Sequence, residues 1–308
     1  MAFPEPDYVD LEWLGRSGVI GTAVLRTDRG AWLVDPGPTS ALGGLERGLA
    51  RLGCSLGDVR GLLLTHVHLD HAGAAGTIAR QHPETRVFVH RRGAPHVIDP
   101  SRLLRSAGQL YGDEMEHLWG EVAPVPAASV QILDGGEALD LDGRLVEVAY
   151  TPGHASHHVS YFDRETASVF AGDTGGVFLA AAPQLVIPPT PPPDIDLDAW
   201  ASSLAHIRQW QPRRLFVTHF GATEHPEAHM ASLERQLATM SDLVRASLDE
   251  PGSDAGRAQR FVARVRADIR RFVAESEARQ YDVAVPLDHC WYGLARYWRK
   301  RKGSEPGP

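Results

Sequence analysis

Between Thr65 and His71 the chain reads Thr-His-Val-His-Leu-Asp-His, so three histidines and an aspartate crowd into His66 to His71. The apolar run Val59 to Leu64 precedes them and Gly73 follows. A chain leaving a buried strand and curling into a helix start turns such side chains toward one point. Imidazole and carboxylate are donors that suit zinc, iron or manganese. The plainer reading, a polar loop that happens to be His-rich, predicts no matching donors elsewhere. Three further segments supply them: Tyr150-Thr151-Pro152-Gly153-His154, Phe170-Ala171-Gly172-Asp173-Thr174-Gly175 and Phe216-Val217-Thr218-His219-Phe220-Gly221. Each follows an apolar strand, and each has a neighbouring glycine that lets the backbone turn tightly. Singly these are ordinary loop residues. Together, in this order, they read as ligands converging at one edge of a sheet.

The surrounding pattern supports that placement. Val19 to Arg26 and Ala31 to Val34 read as a hairpin closed by Thr27-Asp28-Arg29-Gly30, and the second strand stops at Asp35-Pro36-Gly37-Pro38. Ser40 reads as the cap of a helix running to about Leu52. Gly73 to Gln81 reads as a short helix and Arg86 to His90 as a strand, an alternation that argues for α/β layers. Residues 94–121 break the rhythm and read as a helical insertion. Strands resume at Val130–Leu133, Ala138–Leu141, Leu145–Tyr150, His158–Phe162 and Ser168–Ala171. The Pro-rich stretch 183–193 reads as a stiff extended loop. A helix over about Asp196 to Trp210 and a strand over Arg214 to Thr218 follow. From Pro226 the pattern is helical: to about Leu248, over about Arg257 to Glu275, and over about Asp288 to Lys300.

Composition sets outer bounds. With 308 residues, 43% hydrophobic and 23% charged, the chain can bury a sizeable core. A net charge of -8 argues against nucleic acid as partner. The basic run Arg296, Arg299, Lys300, Arg301 and Lys302 reads as a solvated helix end. Cys54 and Cys290 lack CxxC partners and read as reduced thiols of a cytoplasmic protein. Met1 to Asp10 carries no signal-peptide pattern, and no apolar run is long enough to span a bilayer. The expected partner is therefore a small-molecule substrate, with neither nucleic acid nor membrane. Among the other histidines, His157 and His158 read as structural. His90 and His96 are given no metal role. His82, His117, His206, His225, His229 and His289 read as background. Trp291, Tyr292, Tyr297 and Trp298 are expected to pack the last helix onto the core.

The HxHxDH run and the later His, Asp and His resemble the metallo-β-lactamase superfamily over about residues 18 to 222, most closely its glyoxalase-II-like, general metallo-hydrolase branch. The resemblance implies an α+β fold, a four-layer αβ/βα sandwich with the site at one edge. Residues 1–225 would form this catalytic domain, and residues 226–308 a C-terminal helical region packed on it. It implies two metal sites: His66, His68 and His154 around the first, Asp70, His71 and His219 around the second, with Asp173 bridging them. Asp35, in Leu33-Val34-Asp35-Pro36-Gly37, matches a recurrent supporting Asp near the site; a plain turn Asp is the equal alternative. The expected cofactors are two divalent ions, zinc first, with iron or manganese as alternatives.

The expected reaction is hydrolysis of a small ester, thioester or lactone. Two cations about 3.5–4 Å apart can share a hydroxide that attacks the acyl carbon while the metals stabilise the oxyanion. Asp70 would orient the water and pass its proton to the leaving group. Two alternatives of the same fold stay open: a mononuclear iron persulfide dioxygenase and a phosphodiester hydrolase. A non-catalytic binding protein would be expected to have lost ligands, and none is lost. The basic and tyrosine residues with which glyoxalase II binds glutathione are not matched. The C-terminal helices are expected either to cover the site or to form a homodimer interface.

Overall fold

The computed structural model describes residues 3–179 and 182–304. Its organisation follows from the strands. The first sheet runs, in spatial as well as chain order, β1 (Asp7–Asp10), β2 (Gly21–Thr27), β3 (Gly30–Val34), β4 (Val59–Leu63), β5 (Arg86–His90) and β6 (Val130–Leu133). β1, β2 and β3 pair antiparallel, whereas β3 to β6 pair in parallel. Parallel neighbours need crossovers. These are helices α1 (Leu42–Arg51), α2 (Leu69–Ala72), α3 (Ala75–Gln81), α4 (Ala94–Ile98), α5 (Ser101–Tyr111) and α6 (Met115–Trp119).

The second sheet contains β7 (Ala138–Leu141), β8 (Arg144–Tyr150), β9 (Val159–Asp163) and β10 (Ser168–Phe170). A short ribbon, β11 (Val177–Phe178) with β12 (Val186–Ile187), leads through the Pro-rich loop to α7 (Leu197–Gln209). β13 (Arg214–Val217) and β14 (Gly221–Thr223) complete the sheet in the order β14-β13-β10-β9-β8-β7. Helices α8 (Pro226–Ser247), α9 (Asp254–Ile269), α10 (Glu275–Ala284) and α11 (Leu287–Ser304) follow.

Side-chain alternation turns these sheets into layers. Leu33, Leu62 and Val87 point to a core shared with Leu45, Leu49 and Ile78 of α1 and α3. Their neighbours Val34, Leu63 and Phe88 point the other way and meet Tyr161, Phe170 and Phe216 of the second sheet. On the far face of that sheet, Phe162, Val169 and Leu215 join Trp200, Leu233, Val265 and Trp291. Three cores separate four layers, helix-sheet-sheet-helix, as expected. The third core runs without a break from α7 into the C-terminal helices. Among the described residues, no helix is long and apolar enough to cross a membrane.

Several boundaries differ from the sequence reading by a residue or two, and three differences have a physical cause. Ser40 does not cap α1. It lies in a 3-10 turn, Thr39–Ala41, and its Oγ donates to the Leu118 carbonyl at 2.6 Å, tying α6 down. The helix expected to reach Glu275 stops at Ile269, and α10 forms separately. α10 is mostly polar and buries only Ala278 and Tyr281, too little to register as an apolar stripe. Its Tyr281 nevertheless donates to the Leu185 carbonyl and accepts from the Leu179 N–H, which anchors it to the ribbon region. Finally, Val186–Ile187 within the Pro-rich stretch pairs as a strand. In the basic run, Arg299, Arg301 and Lys302 pair with Asp254, Asp198 and Asp249 on the protein's own surface.

Candidate metal centre

The seven predicted ligands lie together where the strands end. β4 stops at Leu63 and delivers Thr65 and His66. A single turn of helix, α2, then carries Asp70 and His71. His154 follows β8, Asp173 follows β10 and His219 follows β13. Ligand atoms fall into two groups, each lying within 4.8 Å of one another: His66, His68, His154 and Asp173, then Asp70, His71 and His219. His154 Nε2 lies 3.0 Å from His68 Nδ1 and 3.4 Å from Asp173 Oδ2. The other oxygen of Asp173, Oδ1, lies 3.2 Å from His71 Nε2 and 3.7 Å from His219 Nε2. Asp70 Oδ2 is 3.2 Å from His219 Nε2. One oxygen of Asp173 therefore faces each group.

The backs of four of the five rings are held by the protein. His154 Nδ1 donates to the Pro189 carbonyl at 2.8 Å, and His219 Nδ1 to the Val19 carbonyl at 2.7 Å. His71 Nδ1 donates to Asp35 Oδ2 at 2.8 Å. His66 Nδ1 meets Thr65 Oγ1 at 3.1 Å, and that hydroxyl donates to Asp35 Oδ2 at 2.7 Å. Such partners fix ring orientation and leave Nε2 as the free donor. Asp35 gathers the most of them, because it also accepts from Thr65 N at 2.8 Å and Thr218 Oγ1 at 3.0 Å. Fully buried at the end of β3, in left-handed backbone at φ 54, it ties three ligand-bearing segments together. An Asp35→Asn variant puts an amide N–H where only donors arrive. It is expected to weaken metal retention by about 10- to 100-fold, read by competition with a chelator. Unchanged affinity would reduce Asp35 to a turn residue.

A metal-type site is tested by what its donors lack. Among buried side-chain atoms, His66 Nε2, His71 Nε2, His219 Nε2 and Asp173 Oδ1 have no hydrogen-bond partner. A buried polar atom left unsatisfied is costly, and four pointing into one small space need a shared partner. The donor set, nitrogen and carboxylate oxygen, fits zinc, iron or manganese. Electrostatics agree. Burial holds His66 well below its ordinary range, reinforced by His71, and brings His68 down to about 4, reinforced by His154. Burial pushes Asp70 upward, but His71 and His219 outweigh it and bring the carboxyl to about 2. Asp173 is likewise low: burial opposes, and His71 and His154 outweigh it. The carboxylates are thus ionised and the His66 and His68 rings neutral, whereas at His71 and His219 burial lowers but Asp70 and Asp173 outweigh it and raise both.

Close packing sets the loop positions. Gly153 has φ 145, and a Cβ there would lie 2.4 Å from Trp200 Cβ. Trp200 in turn donates to the Thr174 carbonyl at 2.8 Å and stands against the His154 ring. His158 is buried and structural, as expected: it stacks on His66 at 5.2 Å and accepts from Thr174 N. His157 borders the cavity above the cluster, and so do His96 and His289, to which sequence reasoning assigns no role. His229 is no background residue either. It is buried, and its Nε2 donates to the Gly175 carbonyl at 2.7 Å, bracing the loop that carries Asp173. Pro189, Trp200 and the hydroxyls of Thr65 and Thr218 escape sequence reasoning. The repeated Thr-His pairs at 65–66 and 218–219 are the available signal.

His229 also carries a pH dependence. Burial depresses it from 6.5 to about 4. Above 6.5 neither folded nor unfolded chain protonates it, so its contribution is fully present. As pH falls toward 4 only the unfolded chain takes the proton, and stability is lost. The shift is worth about 3 kcal/mol. Wild-type protein is expected to lose that much more than His229→Gln between pH 7 and 4, measured from denaturant midpoints. Parallel curves would show that His229 is not the titrating group.

Fold and site together define an αββα sandwich protein with a histidine–aspartate cluster of metal-binding type at the sheet edge. The chain belongs to the metallo-beta-lactamase superfamily, whose model matches residues 18–219. It is similar to a metallo-beta-lactamase fold-containing protein of Sulfurisphaera tokodaii, 28% identical over 52% of this chain and 60% of that protein. It is also similar to a hydroxyacylglutathione hydrolase of a Synechococcus strain, 28% identical over 47% of this chain and 43% of that enzyme. The chain thus spans three fifths or less of these relatives' length. Among solved structures, a metallo-beta-lactamase family protein of Thermus thermophilus matches with a TM-score of 0.69 at 23% identity, covering 92% of this chain and 89% of that one. At that identity the likeness speaks for the fold.

Proposed function

We propose that this protein is a dinuclear metal-dependent hydrolase, zinc being the first expectation, that cleaves a small ester, thioester or lactone. The observation that carries the reading is the set of four partnerless buried donor atoms, with one Asp173 oxygen facing each ligand group. His66, His68 and His154 would hold one ion, Asp70, His71 and His219 the other, and Asp173 both. When bound, paired ions of this kind acidify a water and offset charge on an acyl oxygen. The chain's own residues supply the rest. Asp35 and the Pro189 and Val19 carbonyls keep the rings aimed. Asp70 and Asp173 both border the cavity, and Asp70 is the more open of the two, its side chain 23% exposed against 6%. Asp70 orients the water and hands its proton to the leaving group. Similarity to a hydroxyacylglutathione hydrolase supports acyl cleavage over other chemistries of this fold.

The test is metal content by mass spectrometry on protein purified without chelator, with turnover on ester, thioester, lactone and phosphodiester substrates. About two zinc or manganese ions per chain and acyl hydrolysis lost in His68→Ala are expected. About one iron per chain, with oxygen uptake on a persulfide and no hydrolysis, would replace the proposed reaction.

A further inference from the structure

The walls of the cavity above the cluster narrow the substrate further; this inference rests on the hydrolase reading. The cavity holds about 360 Å³, within the range of small-molecule sites. One wall is apolar. Leu103, Ala107, Leu110 and Tyr111 of α5 line it together with Val285 and Pro286, from the turn before α11. Tyr111 is wedged there edge-on by Trp119, with ring centroids 5.2 Å apart, and by His289 at 5.9 Å. Leu110 remains 41% exposed, an apolar surface left open at the mouth.

The other wall is cationic. Arg92, just past β5, and Arg102, in the first turn of α5, both border the cavity. Arg91, next to Arg92, points away and pairs with Asp134. Arg102 makes no hydrogen bond or ion pair among the described residues. The guanidinium of Arg92 has a single long contact, Nη1 donating to the Ser156 carbonyl at 3.5 Å, and lies 5.7 Å from the Tyr150 ring. The one rim carboxylate outside the ligand set, Asp194, accepts from Ser156 Oγ at 2.6 Å and from Ser156 N at 3.4 Å. Two guanidinium groups bordering the cavity with no ion pair, Arg102 feeling only the charge of Asp99, stand beside an apolar wall and suit a ligand with a greasy end and a multiply charged anionic end.

We propose that the substrate is a small-molecule thioester whose apolar acyl chain lies along α5 and whose thiol half carries phosphate, bound by Arg92 and Arg102. In the reaction the oxygen of water bonds to the acyl carbon and the carbon–sulfur bond breaks. Sulfur leaves with the bonding electrons and takes one proton of the water, giving a carboxylic acid and the free thiol.

Metal-loaded protein is assayed with octanoyl thioesters of coenzyme A, which carries phosphates, and of N-acetylcysteamine, which is neutral. The kcat/KM ratio should strongly favour the phosphate-bearing thioester. Arg92→Gln combined with Arg102→Gln should lower that ratio about 100-fold through KM, about tenfold per arginine. Ala107→Phe fills the apolar wall and should lower octanoyl turnover relative to acetyl on the same thiol. An independent readout is calorimetric binding of the non-cleavable octyl thioether of coenzyme A to metal-free protein. It should weaken about tenfold in each single variant and fall with salt. A wild-type ratio near one, or a ratio and thioether affinity unmoved by the double substitution, overturns the phosphate assignment and leaves the hydrolase standing. Equal loss on acetyl and octanoyl substrates in Ala107→Phe overturns the acyl placement. No turnover of either thioester by loaded protein that still cleaves an ester or lactone overturns the inference and leaves the hydrolase standing, whereas no turnover of any acyl substrate brings down both.

Discussion

Replacing Asp173 by Ala is expected to strip metal from both halves of the cluster and to lower turnover by on the order of 10³-fold. The reasoning is positional. Asp173 Oδ2 stands 3.4 Å from His154 Nε2 and Oδ1 stands 3.2 Å from His71 Nε2, so one truncation removes a donor from each group. It also removes the negative charge that, with Asp70 and Asp35, outweighs burial and holds His71 above its ordinary range. Changing a residue that merely orients a ligand costs about 10- to 100-fold in metal affinity, and losing a shared ligand should cost more. Metal per chain and kcat, measured on the same preparation, check this. A variant that keeps its full metal and rate would remove Asp173 from the site. Asp194→Ala, at the rim of the same cavity, is expected to retain its metal and serves as the control.

The second large effect is on stability. Arg144 opens β8 and Asp163 closes β9, and both side chains are fully buried. Arg144 donates to Asp163 Oδ2 through Nη2 at 2.6 Å and Nε at 3.2 Å, and through Nη1 to the Arg26 carbonyl at 3.3 Å. The pair therefore joins the two sheets at the end of the sandwich away from the cluster. Removing Arg144 leaves Asp163 a buried charge with no cation beside it, held only by the Thr166 hydroxyl and the Glu165 N–H. Arg144→Met is expected to cost about 3–5 kcal/mol, a large part of a domain's stability. Denaturant unfolding of the metal-free protein measures it, and a loss under about 1 kcal/mol would mean that solvent or the Thr166 and Glu165 donors suffice for Asp163. The effect should be the same with and without metal, unlike that of Asp173.

Much of the site was legible because its information is local. His66, His68, Asp70 and His71 sit within a few residues, after an apolar run that reads as a buried strand, and a strand end must turn. Gly153, Gly172 and Gly221 beside His154, Asp173 and His219 mark further tight turns. Alternating strands and helices argued for α/β layers; that adjacent residues such as Leu62 and Leu63 enter different cores, because a strand alternates its faces, is seen in the structure. What was not legible lies in residues whose role depends on a distant partner. Pro189 matters because its carbonyl meets His154, 35 residues away. His229 looks like any helical histidine until its ring is found under Gly175. α10 has little apolar surface of its own, and Tyr281 is held by contacts to Leu179 and Leu185 from the ribbon region.

The sequence alone thus supplied the candidate ligand set and its order, because turn chemistry and donor type are written in neighbouring residues, and the four-layer fold followed from the resemblance those motifs carry. Only the tertiary structure decided how Asp173 divides its two oxygens between the groups and which ring nitrogens are left free. It also decided which arginines border the cavity. Those properties belong to distances between segments far apart in the chain, and close packing of the folded layers sets them.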